Sequence, residues 1–336
     1  MLRFQCSAEA RSSVPRTASF LKTEPLKTEN LSIVGTAGWR LYECETAGST
    51  NDLARGLPAW SAVRADVQTG GRGRFGRVFV SDPGGLWISA VLPSEGGPQR
   101  WAGFSLMVGI HLVRMLESLS VPGARLRWPN DLMSGPKKLG GLLIEQSSSE
   151  TLVVGFGLNV RNSPWATDPA LETISTSLAR ACGLEATGGT GGTGGTGVPP
   201  NAVSFAENCS TGILPVSGKN RMGRMPMPLV GAALDGPPSI PPLPEIFEIT
   251  VRTLDALADA HQEMQVAGMA AAILELNRRW REPVPVRIAL SGGGQVFGRF
   301  TGLDPHGNIR LLDDTDCEFL VPHQSIEKLF EIGYPA

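Results

Sequence analysis

A glycine-rich repeat divides this chain into two parts that have to fold without it. Thr187 to Gly197 repeats Thr-Gly-Gly, and sequence rich in proline and methionine continues to Pro244. Such a segment carries too little apolar surface to offset the entropy lost on ordering, so a disordered insertion is predicted over 186–243. The folded structure must therefore be assembled from the residues before and after this insertion.

The first part, residues 39–160, contains several predicted strands with helices between them. Trp39 to Glu45 alternates in the manner of a strand, and the apolar segment Gly85 to Pro93 predicts a strand buried on both faces. Apolar residues at helical spacing predict a helix over Trp101 to Leu119. Most of these strands are joined by turns of hairpin length, so the pattern favours an α+β fold over regular βαβ alternation.

In the second part of the chain, which begins at Pro244, the spacing of the apolar residues changes once. From Pro244 the apolar residues follow helical spacing, with a break at Gly268, which predicts a pair of helices. After Pro283 the spacing switches to period two, and short strands separated by glycine-containing turns follow. A small C-terminal β-barrel of about 50 residues is the natural way to close such strands.

Composition limits the class of protein. The net charge of −2 argues against a general nucleic-acid binder, whose basic excess would extend over a whole domain. The five cysteines are scattered and form no metal-binding spacing, which fits a reducing compartment and predicts a cytoplasmic protein. No apolar run is long enough to span a membrane. Residues 1–38 show no helical period and no signal-peptide core, so a disordered tail is predicted there.

The segment Gln68 to Arg77 alternates arginines with glycines between two predicted strands. Arginine offers a planar fork of donors that fits phosphate or carboxylate, and glycine allows the backbone to approach a ligand closely. The loop therefore predicts an anion site. Composition alone leaves open whether the anion is a nucleic-acid backbone or one small phosphorylated molecule.

Two other polar segments allow two interpretations each. Ser49-Thr50-Asn51 precedes an apolar run, and such hydroxyls most often cap a helix, although a helix start can also bind a polar ligand. Lys138 opens an apolar strand, where a solvated lysine is the ordinary interpretation. Trp87 is equally consistent with a core residue and with the wall of a ligand site.

Taken in order, five motifs of the chain resemble those of biotin protein ligases. The motifs are Ser49-Thr50-Asn51, Gln68 with Gly71-Arg72-Gly73-Arg74-Phe75-Gly76-Arg77, Arg127-Trp128-Pro129-Asn130-Asp131, Lys137-Lys138-Leu139-Gly140-Gly141-Leu142-Leu143-Ile144-Glu145 and Gly155-Phe156-Gly157-Leu158-Asn159-Val160. The resemblance implies a mixed β-sheet catalytic core with helices packed on it, over 39–282, and a small SH3-like barrel over 283–336. Phe79 stands where that family often has tryptophan, and Arg127 where it often has lysine.

The resemblance also implies a reaction and a set of site residues. Biotin would react with ATP, which carries Mg²⁺, to give biotinyl-5'-AMP, and a lysine on the biotin carboxyl carrier domain of acetyl-CoA carboxylase would then accept the biotin. The expected catalytic residues are Lys138, Arg74 and Asp131. The expected biotin-binding residues are Ser49, Thr50, Asn51, Gln68, Arg72, Gly73, Arg74, Lys138, Gly140 and Gly141. The expected nucleotide-binding residues are Arg74, Arg77, Asn130 and Asp131, and no protein ligand for a metal is assigned.

Two related functions stay open beside this one. A lipoate or octanoate ligase or transferase shares the fold, although the arginine loop and the Trp-Pro-Asn-Asp motif favour biotin. Some relatives are also biotin-sensing repressors with an N-terminal helix-turn-helix, but the residues before Trp39 lack its helical period. We therefore expect a short form that binds neither DNA nor membrane, and a homodimer is possible.

Overall fold

The computed structural model describes residues 31–96, 98–184, 242–280 and 283–332. Nearly all of the predicted insertion, 186–243, lies outside these residues. Within the described part, eight strands form one sheet in the order β1-β2-β3-β4-β8-β7-β6-β5. The strands are β1 (Leu31–Val34), β2 (Trp39–Ala47), β3 (Ser61–Gln68), β4 (Leu86–Pro93), β5 (Ala124–Arg127), β6 (Asp131–Ser134), β7 (Lys137–Gln146) and β8 (Thr151–Leu158).

The sheet is mixed, as predicted. Strands β2 and β3 pair in parallel, and every other neighbouring pair of this sheet is antiparallel. The helices of the described residues are α1 (Thr50–Ala54), α2 (Phe104–Ser118), α3 (Pro164–Thr167), α4 (Leu178–Ala181), α5 (Ile246–Ala267) and α6 (Met269–Arg279). The short helix α1 makes the crossover between the two parallel strands and lies against β3, β4 and β8.

Strand β4 lies in the middle of the sheet, and all of its residues except the last are buried. The prediction of a strand buried on both faces is therefore confirmed. The apolar side of α2 packs on α5 and on the sheet, and the helix pair breaks at Gly268 as predicted. One apolar cluster runs from Ile88 and Leu112 through Leu257 to Val286, so the sheet, the helices and the C-terminal strands share a core.

The C-terminal part is a five-stranded antiparallel sheet in the order β12-β11-β10-β9-β13, consistent with the small barrel predicted. Its strands are β9 (Val284–Leu290), β10 (Gln295–Leu303), β11 (Ile309–Leu312), β12 (Glu318–Val321) and β13 (Ile326–Glu331). Strand β13 was not among the segments assigned from sequence. Its register with β9 shifts between Ile326 and Lys328, and this irregularity interrupts the period-two pattern on which the prediction relied.

Three side chains fix this second sheet against the first. Arg125 of β5 donates two hydrogen bonds to Glu331 of β13, with N–O distances of 2.7 and 2.6 Å. The Trp280 indole nitrogen donates to the Leu126 carbonyl at 3.1 Å. These contacts hold β13 beside the 124–134 hairpin. The domain boundary at 283 stays a prediction.

The predicted tail, 1–38, was assigned too long. Residues 1–30 lie outside the described residues, but Leu31–Val34 forms β1 and pairs antiparallel with β2. Val34 is buried, whereas Ile33 is exposed, as expected for an edge strand. A strand of four residues followed directly by a turn is too short to give a recognisable period, which is why the sequence did not reveal it.

Candidate active site

A cavity of about 340 Å³ lies between α1, the arginine loop, β7 and β13. Most of the predicted site residues line it. They are Ser49, Thr50, Asn51, Gln68, Arg72, Gly73, Arg74, Arg77, Asn130, Asp131, Lys138 and Gly141. The fold therefore brings together residues that are far apart in sequence.

Gly140 is the predicted site residue that does not line this cavity. A Cβ at this position would lie 2.3 Å from the Gly157 carbonyl oxygen of β8. The glycine is therefore explained by the close approach of two strands, and its assignment to biotin binding stays a prediction. At Gly141 a Cβ would lie 3.2 Å from the Lys138 amine, so this glycine leaves space beside a charged group at the cavity.

The arginine loop is tied to α1 by one of its own arginines. Arg72 donates to both carboxylate oxygens of Asp52, at 2.8 and 2.6 Å. The Gly73 amide donates to the Arg77 carbonyl at 2.8 Å and closes the tip of the loop. Arg72 lines the cavity, but its charge is already compensated, so its main effect in this structure is to fix the position of the loop.

Arg74 is the arginine best placed to meet an anion. Burial, followed by repulsion from Arg77, lowers its pKa, although a guanidinium stays protonated at neutral pH. Within the described residues Arg74 forms no ion pair. Its guanidinium and that of Arg77 lie 5.0 and 5.6 Å from the centre of the Phe75 ring. A half-buried cation that forms no ion pair is a candidate site for an anionic ligand.

A carboxylate between two cations forms the other charged part of the cavity. One oxygen of Asp131 lies 2.6 Å from the Lys138 amine, and the other accepts from Arg127 at 2.8 Å. Burial alone would raise the pKa of Asp131, but the charges and hydrogen bonds of Lys138 and Arg127 outweigh it and lower that pKa. Asp131 is thus an ionised anchor for two cations rather than a free base.

Asn130 is fixed to the neighbouring strand. Its side-chain nitrogen donates to the Leu142 carbonyl at 2.6 Å, and the Leu142 amide donates back to the Asn130 carbonyl at 2.9 Å. The side-chain oxygen of Asn130 accepts no hydrogen bond within the described residues. A nucleotide hydroxyl or amine could therefore donate to that oxygen.

The polar end of the cavity is built on α1. Ser49 precedes the helix and is buried, but its side chain caps no backbone amide. The Thr50 amide donates to the Gln68 side-chain oxygen at 2.8 Å. The interpretation of the Ser49 hydroxyl as a simple helix cap is therefore wrong, and this hydroxyl remains available to a ligand in the cavity.

The aromatic residues near the cavity have separate positions. Trp87 is fully buried and donates its indole N–H to the Asp82 carbonyl at 3.0 Å, so it is a core residue. Phe79 lies between Trp87 and the cavity, with ring centres 5.9 Å apart, and the Lys138 amine is 5.6 Å from the Phe79 ring. Phe79 therefore forms the apolar wall of the cavity, the role for which Trp87 was considered.

Lys328 was missed by the sequence analysis. It lies on β13 and lines the cavity, and its pKa is lowered by burial and then by the positive charges of Arg77, Arg127 and Lys138. Among the described residues it forms no ion pair with a carboxylate. No motif marks it, because its position depends on β13, which was not predicted.

Part of the chain is similar to known proteins. Residues 46–159 match the model of the biotin/lipoate A/B protein ligase family, and this range contains all five motifs except part of the last. The chain also aligns with a solved biotin protein ligase from Aquifex aeolicus, with a TM-score of 0.61 over 87% of this chain and 98% of that one, at 19% identity. The predicted fold, a mixed β-sheet with helices packed on it and a small second sheet, is confirmed.

Individual curated proteins are similar to the chain over part of their length. The chain is 32% identical over 168 residues to the bifunctional ligase/repressor BirA of Bacillus subtilis, covering 47% of this chain and 50% of that protein. It is 36% identical over 118 residues to the biotin–[acetyl-CoA-carboxylase] ligase of Paracoccus denitrificans, covering 33% of this chain and 49% of that protein. The chain thus spans about half the length of these curated relatives. The resemblance to biotin protein ligases is confirmed.

Proposed function

We propose that this chain is an ATP-dependent biotin protein ligase. The observation that carries the proposal is the convergence of Arg74, Lys138 and Lys328 on a cavity whose other end is a row of uncharged hydrogen-bonding groups. Such a cavity fits a molecule with a neutral polar ring at one end and an anionic reacting group at the other. The relatives named above support biotin as that molecule.

The first half-reaction joins two anions. A carboxylate oxygen of biotin attacks the α-phosphorus of ATP, the bond to the β-phosphate oxygen breaks, and pyrophosphate leaves. Arg74 and Lys138 reduce the repulsion between the two anions and stabilise the charge that develops on the phosphorus oxygens. Asp131 positions Lys138 for this task at 2.6 Å. Lys328 and Arg77 also line the cavity and would bind the outer phosphates of ATP.

The second half-reaction transfers the biotinyl group to an amine. A lysine of the acceptor attacks the carbonyl carbon of the mixed anhydride, the bond to the phosphate oxygen breaks, and AMP leaves. The acceptor proposed is the biotin carboxyl carrier domain of acetyl-CoA carboxylase or of a related carboxylase. Because Asp131 is held by two cations with a lowered pKa, we assign it to positioning rather than to removal of the proton from that lysine.

The proposal also covers the metal ion that accompanies ATP and the location of the enzyme. Mg²⁺ would accompany the phosphates of ATP, where it would offset their charge, and no protein ligand is assigned to it. In the described residues no cluster of potential metal ligands occurs. No helix there combines the length and apolar character needed to cross a bilayer. We place the enzyme in the cytoplasm, acting on a carrier protein rather than on DNA.

The decisive experiment measures both half-reactions with purified chain. Biotin-dependent release of pyrophosphate from ATP, followed by release of AMP and a mass gain of one biotinyl group on an acceptor domain, is expected. Lipoate and octanoate, tested in parallel, separate the competing function on this fold. Modification of the acceptor by lipoate or octanoate, without reaction of biotin, would contradict the proposal.

A further inference from the structure

A buried serine connects two of the cavity's polar residues to each other. Ser89 of β4 is fully buried, and its hydroxyl oxygen lies 2.7 Å from Thr50 Oγ1 and 2.6 Å from Asn51 Oδ1. Thr50 Oγ1 in turn lies 3.0 Å from Gln68 Oε1. Three short contacts between oxygen atoms thus follow one another, from Gln68 through Thr50 and Ser89 to Asn51.

The two amides at the ends of this row have fixed orientations. Asn51 Nδ2 lies 2.7 Å from Glu145 Oε2, and an ionised carboxylate only accepts hydrogen bonds, so the nitrogen must face it. Gln68 Oε1 lies 2.8 Å from the Thr50 amide, which only donates, so the oxygen must face that amide. Both amides consequently turn their oxygen atoms, which carry no proton, towards the row.

The row is one proton short. Three oxygen–oxygen contacts need three protons to be hydrogen bonds, but only the hydroxyls of Thr50 and Ser89 supply one each. Repulsion is least if the longest contact, 3.0 Å between Thr50 and Gln68, is the one without a proton. The hydroxyls then point from Thr50 to Ser89 and from Ser89 to Asn51. Gln68 Oε1 and Thr50 Oγ1 are left with lone pairs in the cavity.

We propose that Glu145, acting through Asn51 and Ser89, sets the direction of this row, so that Gln68 Oε1 and Thr50 Oγ1 face the ligand as hydrogen-bond acceptors. An N–H of the ligand that points between Gln68 Oε1 and Thr50 Oγ1 supplies the missing proton. Glu145 and Ser89 do not line the cavity and so act as positioning residues. Resting on the proposed function, the donor is one ureido N–H of biotin, a group that lipoate and octanoate lack.

The surroundings of Asn51 support a fixed orientation. A Cβ at Gly155 would lie 2.2 Å from Asn51 Oδ1, so the strand beneath this amide has room only for glycine. Glu145 uses its second oxygen to accept from Arg55 at 2.7 Å, outside the cavity. Arg55 therefore offers a control, because its removal breaks the ion pair but leaves the contact between Glu145 and Asn51 intact.

The test compares biotin with its two cyclic carbamates, in which one ureido N–H or the other is replaced by a ring oxygen of the same size. Dissociation constants are measured by calorimetry on the full chain without ATP, and melting temperatures are recorded alongside. The unaltered chain should bind one carbamate at least roughly tenfold more weakly than biotin. In that carbamate a ring oxygen, which only accepts hydrogen bonds, faces the two acceptors Gln68 Oε1 and Thr50 Oγ1.

Glu145→Ala lets Asn51 turn its N–H groups towards Ser89, and Ser89→Ala leaves the Thr50 hydroxyl only Gln68 to donate to. Either change lets the Thr50 proton move to Gln68 Oε1. Both variants should bind biotin more weakly, and their preference for biotin over that carbamate should fall to about threefold or less. Arg55→Ala should keep the preference of the unaltered chain.

Two results would overturn the inference while the proposed function stands. One is an unchanged preference for biotin over the carbamate in Glu145→Ala and Ser89→Ala. The other is an equal loss of that preference in Arg55→Ala, which would show that Glu145 acts only through its ion pair with Arg55. If the unaltered chain binds neither biotin nor the carbamates, the proposed function fails and this inference fails with it.

Discussion

Replacement of Asp131 by asparagine separates two roles that a carboxylate could have at this site. The structure holds Asp131 between Lys138 and Arg127, so we expect it to position these cations during formation of the adenylate. Asparagine keeps the shape but removes the charge. It also presents an N–H group to one of two partners that only donate hydrogen bonds.

The size of the effect follows from the contacts. Asp131 makes two charged hydrogen bonds, at 2.6 and 2.8 Å, and a bond of this kind contributes roughly 1.5–3 kcal/mol. The side chains of Asp131 and Lys138 are 21% and 32% exposed, which places the loss near the lower limit. A loss of about 1.5 kcal/mol in the transition state corresponds to roughly a tenfold slower formation of the adenylate.

The assay measures the two half-reactions apart. Rapid-quench measurement of pyrophosphate release gives the rate of adenylate formation, and single-turnover transfer from preformed biotinyl-5'-AMP gives the rate of the second step. Asp66→Asn is the matched control, because it removes a carboxylate that pairs with Arg64 at 2.9 Å and does not line the cavity. Adenylate formation at the normal rate, together with transfer slowed tenfold, would refute the positioning role and make Asp131 a group that acts on the incoming lysine.

Three further predictions concern the loop, the last strand and pH. Arg72→Ala and Asp52→Asn should release biotinyl-5'-AMP into solution to a similar extent, because either breaks the pair that fixes the arginine loop; retention of the adenylate by both variants would count against the loop as a cover. Lys328→Ala should raise KM for ATP about tenfold with KM for biotin unchanged, in steady-state kinetics, and an equal rise in both would show a structural effect. Burial lowers the pKa of His111 and His261, so the folded chain binds fewer protons than the unfolded chain. The melting temperature should therefore be highest above about pH 6.5, the ordinary histidine value, and fall as pH decreases through the lowered values; a flat profile from pH 7 to 5 would contradict this.

The sequence was most informative where an apolar pattern was long. Strand β4, helix α2 and the helix pair α5 and α6 follow directly from runs of ten or so apolar or periodic positions, and the structure confirms them. Strands β1 and β13 were missed because one is four residues long and the other carries an irregularity next to Ile326. Local periodicity cannot detect a strand that is held mainly by its partner.

The candidate site likewise contains residues that could be predicted from sequence motifs and one that could not. Arg74 and Asp131 stand in motifs whose order along the chain could be recognised, and the structure brings them to one cavity. Lys328 has no motif, and only the pairing of β13 with β9 carries it to the cavity. Gly140 shows a second limit, because a glycine required by strand packing looks the same in sequence as one required by a ligand.

The pair between Arg125 and Glu331 has a consequence for the order in which the site would be lost on unfolding. The row proposed to bind the ring belongs to α1 and the central strands, whereas Lys328 lies on β13, which this pair ties to β5. Release of β13 from β5 would therefore remove the charge proposed for the phosphates while the row proposed for the ring stayed intact. Between the native and the unfolded chain, a state that still holds biotin but no longer activates it is expected.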